Sequence, residues 1–114
     1  MRLNQVTVPA TDIQASVEFY AGLGLRLIVS STHYARFECP DGESTFSVHL
    51  SEARQLNAGA VVYFECTTLD EQVAKLKAAG YTFFQEPTDQ PWLWREARLR
   101  DPAGKNFGGF SPSV

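Results

Sequence analysis

Phe37-Glu38-Cys39 and Phe64-Glu65-Cys66 repeat one tripeptide and twice set a carboxylate beside a thiol in a strand-like context. If both glutamates faced a common cavity, one could be poised as a general base, and Glu65 is the candidate. The competing reading is that both alternate outward to water. Trp92 and Trp94 stand in a Pro-containing loop beside Arg95 and Glu96, with more apolar area than a loop leaves exposed without a partner. They either cover a core or dimer interface, or wall a site for a flat or cationic ligand. Arg98 and Arg100 alternate with Ala97 and Leu99, so they share one strand face, where they could meet an anion or water. His33 lies in the polar turn Ser31-Thr32-His33, the setting of a solvated histidine, whereas His49 reads equally as a strand-end or a pocket imidazole. Cys39 and Cys66 read as reduced, half-buried thiols, with disulfide pairing as the alternative; no His or Lys pattern beside them suggests a nucleophile. No Gly-rich phosphate loop, Ser-His-Asp order or Cys-x-x-Cys motif occurs.

These residues need elements to hold them. Leu3 to Val8 alternates imperfectly with period two and reads as a strand ending at Pro9. Asp12 stands where a helix cap belongs. Ile13, Val17, Tyr20 and Ala21 then recur at helical spacing, and Gly22 and Gly24 stop the helix. Leu25 to Ser30, Tyr34 to Cys39 and Ser44 to Leu50 form a meander, with Pro40-Asp41-Gly42 as a turn. Residues 51–59 read as a polar linker. The order then repeats: strand Val61 to Cys66, a helix from Leu69 to Ala79 with Leu69, Val73, Leu76 and Ala79 on one stripe, and strands Tyr81 to Gln85, Trp94 to Leu99 and Asn106 to Phe110. Thr67 or Thr68 should cap the second helix and Gly80 end it. The halves, residues 1–50 and 60–114, share order without identity.

At 114 residues the chain fits one α+β domain. An apolar fraction of 44% suits a soluble globular protein. A net charge of -3 and the lack of a basic run argue against a nucleic-acid partner. No secretory signal or bilayer-spanning run is present, so no membrane partner and a cytoplasmic location are expected.

Two stretches carry a family resemblance. The first is Asp12-Ile13, Ser16, Phe19-Tyr20 and Leu23-Gly24-Leu25; the second is Pro91-Trp92-Leu93-Trp94-Arg95-Glu96 running into Arg100-Asp101-Pro102-Ala103-Gly104-Lys105-Asn106. Together they resemble the vicinal oxygen chelate superfamily of glyoxalase I, extradiol dioxygenases and bleomycin/fosfomycin resistance proteins. That resemblance implies two paired βαβββ modules whose sheets curl, open, around a cavity. It also implies four metal-ligand positions, which fall here on Gln5, His49, Val61 and Gly108. Gln5 and His49 could coordinate a divalent ion, but Val61 and Gly108 carry no donor. Glu65, four residues beyond Val61, lies about 13 Å further along a strand and cannot stand in for it. A metal on two ligands binds weakly against water, so no metal cofactor is expected. The family's frequent glycine after Pro-Trp is replaced by Leu93, and Gly108-Gly109 weakens the last strand or admits a close backbone approach.

The resulting expectation is a metal-independent small-molecule binding protein acting as a homodimer, with an aromatic or amphipathic ligand held by Gln5, Thr7, His49, Tyr63, Trp92, Trp94 and Glu96. One alternative is a metal-dependent lyase, isomerase or dioxygenase using Gln5 and His49. The other is a dimerisation or interaction module. The scaffold hosts many activities, so the fold alone does not choose among them.

Overall fold

The structure, a computed structural model, describes residues 1–52 and 60–112. The chain divides into two compact units, Met1–Leu56 with Pro102–Gly104, and Asn57–Asp101 with Lys105–Val114. Residues 53–59, most of the expected linker, lie outside the described residues.

The first unit holds β1 (Gln5–Ala10), α1 (Ile13–Gly22), β2 (Arg26–Ser30), β3 (Tyr34–Glu38) and β4 (Thr45–Leu50). Its sheet order is β1-β4-β3-β2, with β1 parallel to β4 and the remaining pairs antiparallel. The strand expected to stop at Pro9 runs through it to Ala10. Proline is tolerated because β1 pairs on one side only, leaving its other side free of ladder hydrogen bonds.

Asp12 caps α1 by accepting a hydrogen bond from Ala15 N at 3.1 Å. The helix ends one step later than its first glycine suggests. Gly22 stays helical, while Gly24 takes φ +109° and lets Leu25 N–H reach Tyr20 O at 3.3 Å. The buried stripe is Ser16 and Tyr20 rather than Ile13 and Val17, which are half-buried. Ser16 is small, so the helix can lie close to the sheet. Tyr20 then packs its ring 4.7 Å from Phe46 and 6.0 Å from Phe37, with Val8, Ala10, Ala35 and Val48 completing the core.

The second unit repeats this plan with β5 (Val62–Glu65), α2 (Leu69–Ala78), β6 (Phe83–Asp89), β7 (Trp94–Arg100) and β8 (Asn106–Pro112), in sheet order β5-β8-β7-β6. Leu69 and Val73 bury against Ala97, joined by Cys66 and Phe83. Leu76 is half-buried and Ala79 exposed, so the apolar stripe is shorter than its sequence spacing implies. Thr68 occupies the N-cap without a side-chain bond; Asp70 and Glu71 complement the helix dipole instead. Gly80, at φ +101°, ends the helix, with Tyr81 N–H bonded to Leu76 O at 3.0 Å. β6 is an outer strand and runs on through Pro87, longer than expected for the same reason as β1. The fold is thus α+β, with two open four-stranded mixed sheets and one helix on each.

The turn between β6 and β7 contains a backbone conflict. Leu93 N–H bonds to Gln90 O at 3.1 Å and Gln90 N–H to Trp94 O at 2.7 Å, which places Leu93 at φ +64°. This left-handed position suits glycine, and a leucine there costs about 1–2 kcal/mol. Leu93 is 60% exposed, so burial offsets little of that. Leu93→Gly should therefore raise the urea midpoint by the equivalent of about 0.5 kcal/mol, after the entropy cost of glycine. A lower midpoint would mean that the leucine side chain makes a stabilising contact that outweighs its strain.

Candidate functional site

Each sheet has one face covered by its helix and one, called bare below, that the helix of its own unit leaves uncovered, and strand register decides which side chains share it. On the second sheet Tyr63 pairs with Gly108, Glu65 with Phe110, Glu96 with Phe110, Arg98 with Gly108 and Trp94 with Pro112. Alternation therefore puts Tyr63, Glu65, Trp94, Glu96, Arg98, Gly108 and Phe110 on the face away from α2. Trp94 stacks on Phe110 with centroids 3.7 Å apart and planes 10° from parallel. Tyr63 stands edge-on to both, 5.4 Å from Trp94 and 6.3 Å from Phe110.

Gly108 makes room for this cluster. A Cβ at that position would lie 2.7 Å from Tyr63 Cε1 and 2.8 Å from Cδ1, closer than any real contact. The close approach that the double glycine suggested is made by an aromatic side chain rather than by backbone. Gly109 faces the helix side, with Leu69 Cδ1 at 3.6 Å from the equivalent point.

Charged groups surround the rings. Glu96 is buried, at 2% exposure, and accepts a hydrogen bond from the Tyr63 hydroxyl, while its Oε2 has no partner among the described residues. Burial pushes the Tyr63 phenol up from its ordinary acidity constant; Arg98 opposes this, and the charge and hydrogen bond of Glu96 add to it. The Arg98 guanidinium lies 5.8 Å from the Tyr63 centroid and 5.9 Å from that of Phe84, and Arg100 lies 4.4 Å from Phe84. The two arginines share a face, as their alternation implies, and both lie against aromatic rings. Two open clefts of about 280 and 260 Å³ lie elsewhere, around Asp70 and Arg95. Arg95 is already bound there by Asp70 at 2.9 Å and Asp89 at 3.2 Å, so the aromatic face offers more unspent chemistry.

The remaining expected residues fall as follows. Trp92 is 54% exposed in the turn and is not part of the Trp94 stack. Glu65 is exposed at the end of β5, and Glu38 forms an ion pair with Arg26. Both cysteines are free, with burial pushing each thiol up, which leaves them poor nucleophiles at neutral pH. His33 is exposed and bonds its Nδ1 to Thr32 Oγ1 at 2.8 Å. In the first unit Gln5 faces Thr45 and Thr7 faces Ser47, whereas His49 lies opposite Tyr34, four residues along β4 from Thr45. The structure does not bring Gln5 and His49 together, since four residues of strand span about 13 Å.

A metal of the kind the resemblance implies does not fit these residues. Gln5 Oε1 accepts from Thr45 at 2.9 Å, and its Nε2 donates to Thr7 at 3.3 Å and Tyr34 at 3.4 Å. Val61 carries no donor, and the Gly108 position is covered by the Tyr63 ring. Among the described residues no three His, Cys, Asp or Glu side chains cluster as a metal site would need. Nor is any helix among them long and apolar enough to cross a membrane.

The sequence model of the Glyoxalase/Bleomycin resistance protein/Dioxygenase superfamily matches residues 2–107. The chain belongs to that superfamily. No curated protein matches it significantly. Among solved structures, a glyoxalase/bleomycin resistance protein/dioxygenase from Nocardioides is 24% identical with a TM-score of 0.80, covering 98% of this chain and 83% of its own. A lactoylglutathione lyase from Agrobacterium tumefaciens is 20% identical, with a TM-score of 0.79 and coverages of 96% and 92%. A bleomycin-binding protein complexed with bleomycin is 17% identical, with a TM-score of 0.77 and coverages of 97% and 98%. At these identities the likeness is one of fold, and the superfamily spans both enzymes and binders.

Phe110 is not among the expected binding residues, although its parity with Gly108 on the last strand places it on the Tyr63 face. Gly108→Ala should cost about 1–3 kcal/mol by overpacking against Tyr63. In a Tyr63→Ala background the same change should cost under about 1 kcal/mol, a coupling that a double-mutant urea-denaturation cycle measures directly. Equal costs in both backgrounds would mean that the ring does not occupy that space.

Proposed function

We propose that this superfamily member is a metal-independent small-molecule binding protein, working as a homodimer and as a single functional domain, that takes a flat aromatic compound on the bare face of its second sheet. The observation that carries the reading is the Tyr63 ring held over Gly108 beside the stacked Trp94 and Phe110. A position that a coordinating side chain would need is spent on aromatic surface, and flat apolar surface with a few polar groups is what small-molecule sites are made of. Glu96 and Arg98 border the rings and supply the polar contacts that orient a ligand. The bleomycin-binding relative lends the scaffold a precedent for ligand binding.

The homodimer rests on other residues. β2 is an outer strand exposed along its whole length, with Leu27, Ile28 and Val29 at 39–45% exposure, and Trp92 and Leu93 are also turned to solvent. Apolar strand edges and loops of this kind are surfaces that association covers.

Trp94 supplies the test. Titrating the protein with naphthalene-2-carboxamide should quench indole fluorescence saturably, and Trp94→Phe should abolish that component while Trp92→Phe leaves it in place. Quenching that survives in Trp94→Phe, or no saturable quenching by planar aromatics, would remove the reading.

A further inference from the structure

The bare face of the first sheet carries an unspent chemistry of its own. Register places Gln5 and Thr7 of β1, Tyr34 and Arg36 of β3, and Thr45 and Ser47 of β4 side by side. Their hydrogen bonds form one directional chain. Arg36 donates through Nε at 3.3 Å and Nη2 at 3.2 Å to Thr45 Oγ1. With its lone pairs so engaged, Thr45 donates its own proton to Gln5 Oε1 at 2.9 Å. That fixes the amide orientation and leaves Gln5 Nε2 to donate to Thr7 Oγ1 at 3.3 Å and to the Tyr34 hydroxyl oxygen at 3.4 Å. Thr7 and Ser47 hydroxyls lie 2.6 Å apart, and whichever donates, one proton of the pair is left over.

Every link therefore points away from the guanidinium, and each polarises the next. The chain ends in donors: the Tyr34 O–H, one proton of the Thr7–Ser47 pair, and Arg36 Nη1. None of these has an acceptor among the described residues. Arg36 has no carboxylate partner there either. Glu38 shares its face but is neutralised by Arg26, and His49 lies across from Tyr34. Gln5, Tyr34, Arg36 and Thr45 are half-buried, Thr7 is exposed and Ser47 is fully buried, so a small solute meets the hydroxyl pair from the Thr7 side. Donors without acceptors around an uncompensated positive charge are the complement of an oxyanion.

We propose that this face is an oxyanion-binding site, taking a carboxylate or phosphate group through the Tyr34 hydroxyl, the Thr7–Ser47 pair and Arg36. The inference does not rest on the aromatic reading of the second sheet.

The test is a titration of the isotope-labelled full chain with sodium acetate and, separately, inorganic phosphate, followed by NMR, with sodium chloride at matched ionic strength as control. Saturable shifts centred on Tyr34, Arg36, Thr45 and Ser47 with either probe, absent with chloride, are expected; which probe binds more tightly distinguishes a planar from a tetrahedral oxyanion. Tyr34→Phe deletes one terminal donor and leaves the charge, and should weaken binding about tenfold or more, the loss of one charge-assisted hydrogen bond. Arg36→Met should weaken it at least as much. If Arg36→Met does not fold, Tyr34→Phe still decides. Shifts that chloride reproduces, affinity unchanged in Tyr34→Phe, or no saturable shift with either probe would overturn the site, the last meaning that water alone meets these protons.

Discussion

The packing of the Tyr63 ring against Gly108 is the constraint on which the second sheet's bare face depends. A ring edge set against a backbone position leaves no room for a side chain there, and the strand must be glycine at that point. Once Tyr63 is held in place, Trp94 and Phe110 complete a contiguous aromatic surface, and Glu96 and Arg98 are fixed at its border by strand alternation. Glycine in a strand interior is unfavourable in itself, because it packs nothing and loses more chain entropy. Its presence at position 108 makes sense only with the ring that covers it.

The two units show how one topology carries two chemistries. Both have a parallel outer pair, an antiparallel meander and a helix on one face. The helix-covered faces are alike, each packing helix residues at i and i+4, Ser16 with Tyr20 and Leu69 with Val73, onto apolar strand positions. The bare faces differ. One is a chain of hydroxyls and an amide driven by Arg36, and the other is a set of rings bordered by Glu96 and Arg98. The scaffold is fixed by the buried alternation, and the opposite parity is left to vary without cost to the core.

That division also explains what the sequence disclosed. The helix positions, the capping Asp12, the terminating Gly80 and the family of the chain were legible because caps, glycines and apolar spacing act locally. The strands expected to end at Pro9 and Gln85 run on through Pro9 and Pro87, since whether a proline ends a strand depends on whether that strand lies at a sheet edge, a non-local fact. The bare faces were legible only in fragments. Tyr63, Trp94 and Glu96 were picked out as binding residues and share one face, while Trp92 points to solvent and Glu65 lies exposed at the strand end. Of the Arg36 chain only Gln5 and Thr7 stand out in the sequence, because its members come from three strands and none of the others is unusual alone. The resemblance implies that Gln5 and His49 line one metal site, whereas pairing sets Thr45 beside Gln5; register between distant strands is not legible in the sequence.

The central claim is that the four positions where the family resemblance implies metal ligands do not make a cation site here: Val61 and Gly108 carry no donor, and Gln5 is tied into hydrogen bonds away from His49. The most direct measurement is the content of zinc, nickel, manganese and iron in the purified protein after dialysis against a weak chelator, normalised to chain concentration. The account predicts far less than one ion per chain and no gain in thermal stability on adding any of the four. One tightly held ion per chain, lost together with fold stability on stronger chelation, would contradict it.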